Sequence, residues 1–186
     1  MMAEHRKASP QFSACGLNCG LCPRFYTEGS SRCPGCGGTD FSFKHPSCGV
    51  LSCASKRALP YCYLCEEYPC KKYEKAALDS FITHRHIFTD PERAKAMGIE
   101  TYLRELDEKM ALLQRLLQEY DDGRRKSFFC LAVNLLPLED VRAVFAESEA
   151  SFDGTPEMRK GRAQSIAGLF HAAAEKRGIV LQLMKK

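Results

Sequence analysis

No run of apolar residues in this chain approaches the roughly 20 needed to cross a bilayer, so no membrane role is expected. The opening Met1-Met2-Ala3-Glu4-His5-Arg6-Lys7 has charges but no apolar segment after them, so no secretory signal is read there. Residues 15–70 lack any sustained helical or strand periodicity, which argues against an ordinary apolar core for that stretch. Beyond Cys70 cysteine almost vanishes, leaving only Cys130. No nucleophile, base and orienting group occur in a recognisable pattern, which points away from an enzyme.

What is present is concentrated. Of eleven cysteines, ten lie between Cys15 and Cys70: Cys15, Cys19, Cys22, Cys33, Cys36, Cys48, Cys53, Cys62, Cys65 and Cys70. With 45% hydrophobic and 27% charged residues over 186 positions, the rest is ordinary globular composition, enough for one large or two small domains. Without a secretory signal, a cytoplasmic and reducing location is expected. There a dense cysteine set binds metal more readily than it forms disulfides.

The spacing supports this chemistry. A Cys-x2-Cys turn brings two sulfurs toward one ion, and zinc takes four such ligands. Cys19/Cys22, Cys33/Cys36 and Cys62/Cys65 are three such pairs. The triplet Cys62-x2-Cys65-x4-Cys70 is echoed by His45-x2-Cys48-x4-Cys53, and on that echo alone His45 is read as a candidate ligand. With Cys15, Cys53 and Cys70 there are eleven potential ligands, sufficient for two closed sites or for three with one outside ligand. Two or three Zn2+ ions are expected; which pair joins which is left open. The leading Cys15-x3-Cys19-x2-Cys22 also has the spacing by which radical S-adenosylmethionine enzymes hold an iron–sulfur cluster. Those enzymes are built on alternating strands and helices, and no series of strands follows here, so zinc is preferred and an iron–sulfur or redox enzyme is the alternative.

Charge weighs on the choice of partner. Residues 1–76 hold 10 Lys/Arg against 6 Asp/Glu, while the remainder has 17 of each. A basic cysteine module suggests nucleic acid, through Arg32, Lys44, Lys56, Arg57, Lys71 and Lys72. Metal-bound thiols are deprotonated, however, and ten thiolates with two or three divalent ions bring the module to about −2 or 0. A protein partner is therefore favoured over nucleic acid.

The expected fold class is mainly α, with at most one or two short strands. A flexible leader (1–14) precedes a loop-rich, metal-stapled cysteine module (15–75) and a helical domain (76–186). Lys71–Thr83 reads as a helix, and Asp90-Pro91-Glu92 as a helix start. A long amphipathic helix follows through Ile99, Tyr102, Leu103, Leu106, Met110, Leu113, Leu117 and Tyr120, ending at Asp121-Asp122-Gly123. Arg125–Leu136 is a more apolar helix stopped before Pro137. The next carries Leu138, Val141, Val144 and Phe145 on one face. After a Ser151–Gly154 loop, Thr155-Pro156-Glu157 opens a helix with Ile166, Leu169, Phe170 and Ala173 inside, ended by Gly178; Ile179–Met184 reads as a short strand. Cys130, between Phe129 and Leu131, reads as a buried apolar residue. His84 and His86 read as a surface helix end, and the clusters Arg124-Arg125-Lys126 and Arg159-Lys160-x-Arg162 as solvated faces.

Taken together, Cys15-Gly16-Leu17-Asn18-Cys19-Gly20-Leu21-Cys22-Pro23, Cys33-Pro34-Gly35-Cys36 and Cys62-Tyr63-Leu64-Cys65-Glu66-Glu67-Tyr68-Pro69-Cys70 resemble the domain-of-unknown-function 3795 family of cysteine-rich bacterial and archaeal proteins. The resemblance covers roughly residues 12–75, and Pro91–Leu106 resembles the linker helix of its longer members. It implies metal binding and no particular activity. Where the family is expected to carry a further cysteine, this chain has His45.

Overall fold

The structure, a computed structural model, describes residues 7–74, 78–151 and 159–184. They fall into two compact units: the residues up to Leu106 together with Met184, and Asp107–Leu183. Mainly α architecture is what they show, with seven α-helices and no strand among the described residues.

The first unit holds all ten clustered cysteines. It contains α1 (Phe41–Lys44), α2 (Gly49–Lys56), α3 (Thr89–Met97) and the start of α4 (Ile99–Glu119), joined by loops and single 3-10 turns. Its composition changes near residue 76, but its packing continues through α3. In place of a sheet ladder, isolated backbone bonds satisfy the loop amides, as buried peptide groups require. Gly20 donates to the Gln11 carbonyl, Cys36 to Pro10 and Cys62 to Ala14, each at 2.8 Å.

Those acceptors lie in the segment expected to be a flexible leader. Residues 1–6 are outside the described residues, but 7–14 are packed. Phe12 is fully buried between the rings of Tyr61 and Tyr102, at 5.3 and 4.8 Å, and Ala14 is buried against Cys36 and Ala54. Two apolar side chains in a short loop have no periodicity to betray them.

A buried polar relay ties the first cysteine loop to α3 and α4. Asn18 Nδ2 donates to Asp90 Oδ2 at 2.8 Å, and the Tyr102 hydroxyl donates to Asn18 Oδ1 at 2.9 Å. Gly16, at φ +96°, makes the close approach possible: a Cβ there would stand 2.4 Å from Pro91 Cγ and 2.7 Å from the Ile87 carbonyl oxygen. Strain at positive φ and forced repacking together make Gly16→Ala destabilising by about 2–4 kcal/mol, measurable as a lowered denaturation midpoint of this unit. A change below about 0.5 kcal/mol, the ordinary surface range, would contradict the packing described.

Two elements differ from the sequence reading. Lys71–Thr83 is not a helix: a 3-10 turn covers Lys71–Tyr73, residues 75–77 are outside the described set, and the chain is then irregular. Asp79 is the reason. Its Oδ1 accepts from the His84 amide at 2.6 Å and from Thr83 Oγ1 at 3.3 Å, an Asx-type arrangement that competes with helical bonding. Ile179–Met184 is not a strand. After Gly178, at φ +65°, Ile179 N donates to the Ala174 carbonyl at 2.8 Å, and at the far end Met184 N donates to Asp79 Oδ2 at 2.7 Å and Asp79 N to the Met184 carbonyl at 3.0 Å.

The second unit packs the later part of α4 with α5 (Lys126–Leu135), α6 (Leu138–Ala150) and α7 (Arg159–Lys176). Its core contains Leu113, Leu116, Phe129, Cys130, Val133, Val141, Phe145, Ile166 and Phe170. All four residues expected on the inner face of α6 are buried, as is Cys130. On α4 the buried row includes Leu116 rather than Leu117, with Lys109 buried beside it, because Lys109 Nζ donates at 2.7 Å to the Leu136 carbonyl just past α5. A cation at a helix C-terminus answers both the dipole and an orphan carbonyl. The expected opening of α7 at Thr155-Pro156-Glu157 and most of the Ser151–Gly154 loop lie outside the described residues.

Candidate metal centre

Two of the Cys-x2-Cys pairs are built on the same backbone. Cys19–Leu21 and Cys62–Leu64 are 3-10 turns, closed by Cys22 N donating to the Cys19 carbonyl (3.1 Å) and Cys65 N to the Cys62 carbonyl (2.9 Å). Each turn ends on a cysteine in nearly identical extended geometry, φ −81°, ψ 137° at Cys22 and φ −85°, ψ 136° at Cys65. The third pair, Cys33/Cys36, turns at Gly35 (φ +85°), and a side chain there would strike the Pro10 carbonyl at 2.4 Å.

All eleven cysteines are free thiols. Several sulfurs already receive hydrogen bonds of the kind that stabilise thiolates. Cys22 accepts from the amides of Arg24 and Phe25, and Cys48, capping α2, from the Leu51 amide at 3.5 Å. Arg57 Nη1 donates to Cys65 Sγ at 3.2 Å while Nη2 pairs with Glu67 at 2.8 Å. The Tyr73 hydroxyl bonds to Cys62, and Ser13 Oγ lies 3.0 Å from Cys15 Sγ.

Burial works in the opposite direction. It pushes the thiols of Cys15, Cys22 and Cys62 up, Cys19 well up and Cys36 to about 12. Neighbouring sulfurs add to the effect, since adjacent thiolates repel. Cys36, Cys15, Cys22 and Cys33 raise Cys19, and Cys48 raises both Cys15 and Cys36. These thiols are therefore protonated at neutral pH, and an ion that binds them must displace protons. Calorimetry of zinc uptake in buffers of different ionisation enthalpy should show release of several protons per ion; a release near zero would mean that these thiols are not the ligands.

Sulfur–sulfur repulsion runs among Cys15, Cys19, Cys22, Cys33, Cys36 and Cys48, and Cys62 is raised by Cys15, Cys53 and Cys70. Among the described residues no recorded contact joins His45 to a cysteine: its exposed ring stacks on Phe41 at 4.6 Å, with Nδ1 2.8 Å from the Pro46 carbonyl. Among the described residues no three His, Cys, Asp or Glu side chains converge on one ion position as they stand. The donor set itself suits a soft divalent ion: ten thiols, two matched turns and several sulfur-directed donors.

One residue of this neighbourhood escaped the sequence reading. Lys7 Nζ donates to the Pro60 carbonyl at 2.7 Å and sits 3.9 Å from the centre of the Tyr61 ring. Burial lowers its pKa, while Cys36, Cys19, Cys15 and Cys62 raise it. It is a cation placed among thiols, and a lone lysine near the start of a chain carries no signal of that. His84 and His86 lie elsewhere: His84 Nε2 is 3.3 Å from Ser80 Oγ and His86 Nδ1 is 4.0 Å from Asp90.

Fold and cysteine arrangement together define a mainly α protein with a cysteine-rich module. Residues 11–75, about a third of the chain, match the profile of a family described as "Protein of unknown function (DUF3795)", and this segment is similar to that family. No curated protein and no solved structure matches the chain.

Proposed function

We propose that this is a zinc-binding protein in which two or three ions hold the cysteine module in shape, and that the shaped module recognises a protein partner. The observation that carries the reading is the recurrence of one turn geometry at Cys19–Cys22 and Cys62–Cys65, each with sulfur-directed donors. Matched turns of this kind suit coordination, because each sets two cysteines three residues apart on one closed backbone turn. The partner reading is supported by exposed apolar side chains on the module: Phe43 in α1 is 86% exposed and Leu64, inside the second turn, 52%. The near-neutral charge of the metal-loaded module favours a protein surface over nucleic acid.

Elemental analysis of anaerobically purified protein tests the reading. Zinc at two or three equivalents, with no colour, is expected. Iron and acid-labile sulfide in place of zinc would transfer the site to the iron–sulfur alternative at Cys15, Cys19 and Cys22.

A further inference from the structure

The first unit contains a cleft of about 340 Å³ walled by the end of α2, the turn after it, the second Cys-x2-Cys turn and the segment from Cys70 to Tyr73. Four of the ten clustered cysteines line it: Cys53, Cys62, Cys65 and Cys70. We propose that these four form one thiolate site for a soft divalent cation of the zinc class, separate from whatever the other six hold. This rests on the metal-binding reading above and adds to it the partition of ligands.

Three observations bring Cys53 into this set rather than leaving it with Cys48. The first is helical phase. Cys48 caps α2 and Cys53 lies on its body; residues five apart on a helix point about 140° apart around the axis. Cys48, in extended backbone at the cap, and Cys53, in the helix, therefore leave α2 in different settings. The second is the cleft itself, whose wall includes Cys53, Cys62, Cys65 and Cys70 but not Cys48. The third is Arg57, one turn beyond Cys53. It donates to Cys65 Sγ and is held by Glu67, so one guanidinium joins the end of α2 to the second turn.

The cleft also has unmet polarity. Tyr68, which lines it, has its hydroxyl buried with no hydrogen-bond partner. The space exceeds that of one ion, and the sulfurs do not yet converge. A cysteine has a single side-chain torsion, and convergence on one ion would require each of the four sulfurs to turn inward about it. Binding would release the thiol protons to solvent as four metal–sulfur bonds form.

NMR-active cadmium provides the test on the full-length chain without mutation. One cadmium resonance should correlate with the Cβ protons of Cys53, Cys62, Cys65 and Cys70 and with no other cysteine. Correlation of Cys53 and Cys48 with the same ion would overturn the partition while leaving the metal reading intact. Failure of the chain to bind either cadmium or zinc would remove both. Stoichiometry supplies a second arm by native mass spectrometry. Cys65→Ser should lose one equivalent, and Cys53→Ser with Cys65→Ser should still lose only one. A loss of two from the Cys53/Cys65 pair would overturn the assignment.

Discussion

Chelation of zinc should melt the first unit while α5, α6 and α7 stay helical. The unit packs around Phe12, Ala14, Leu21, Tyr61 and Tyr102, with the thiols of Cys36 and Cys19 among them. Much of its backbone lies in isolated turns whose conformations no regular ladder enforces. Structural zinc contributes on the order of 10–16 kcal/mol in small metal-folded modules, comparable with or larger than the whole stability of a typical domain. Removing it leaves α2 and the 3-10 turns without their fixed points. The Asn18–Asp90–Tyr102 relay then draws α3 and the first turns of α4 into the loss. The second unit has its own buried residues, with Phe129, Leu136, Val141, Ile166 and Phe170 at or near zero exposure. Circular dichroism should therefore keep a large helical signal after chelation, and hydrogen exchange should stay slow over 129–145. Loss of all helix in one step would show that the units are thermodynamically inseparable. An unchanged first unit would show that the ions are not structural.

Phe12→Ala should have the largest effect of any single substitution in the first unit, about 3–5 kcal/mol, the range for emptying a buried phenylalanine site. The ring is fully buried and in contact with two aromatic rings from distant parts of the sequence, Tyr61 beside the second cysteine turn and Tyr102 on α4. Its removal opens a cavity that neither neighbour can fill, because Tyr102 is held by Asn18 and Tyr61 lies under Lys7. Denaturation followed through exchange at residues 12–62 should show the loss, with residues 129–145 unaffected. A destabilisation under about 1 kcal/mol, the average of all substitutions, would mean that Phe12 is not central to this packing.

How much of this was legible in the sequence depended on the kind of signal. The helices of the second unit were legible because burial of one face imposes a 3.6-residue period, and the α6 face from Leu138 to Phe145 is the clearest case. Leu116 displaced Leu117 because Lys109 is drawn inward to the carbonyl of Leu136, a contact across 27 positions that no periodicity records. The two matched cysteine turns were legible as spacing. Their grouping was not, because spacing along the chain does not record which turns and helices the fold brings to one cleft. Phe12 and Lys7 were read as leader because their partners, Tyr61, Tyr102 and Pro60, lie 49 to 90 positions away. The helix expected over Lys71–Thr83 gave way to Asp79, a single side chain whose two oxygens hold the backbone of His84 and Met184.

The central claim is that the thiols between Cys15 and Cys70 are metal ligands. Native mass spectrometry of the full-length chain from zinc-replete cells tests it most directly. Two or three zinc ions per chain are predicted, retained on gentle desalting and lost on acidification as the thiols reprotonate. A chain mass without zinc, with all ten thiols open to alkylation under native conditions, would contradict it.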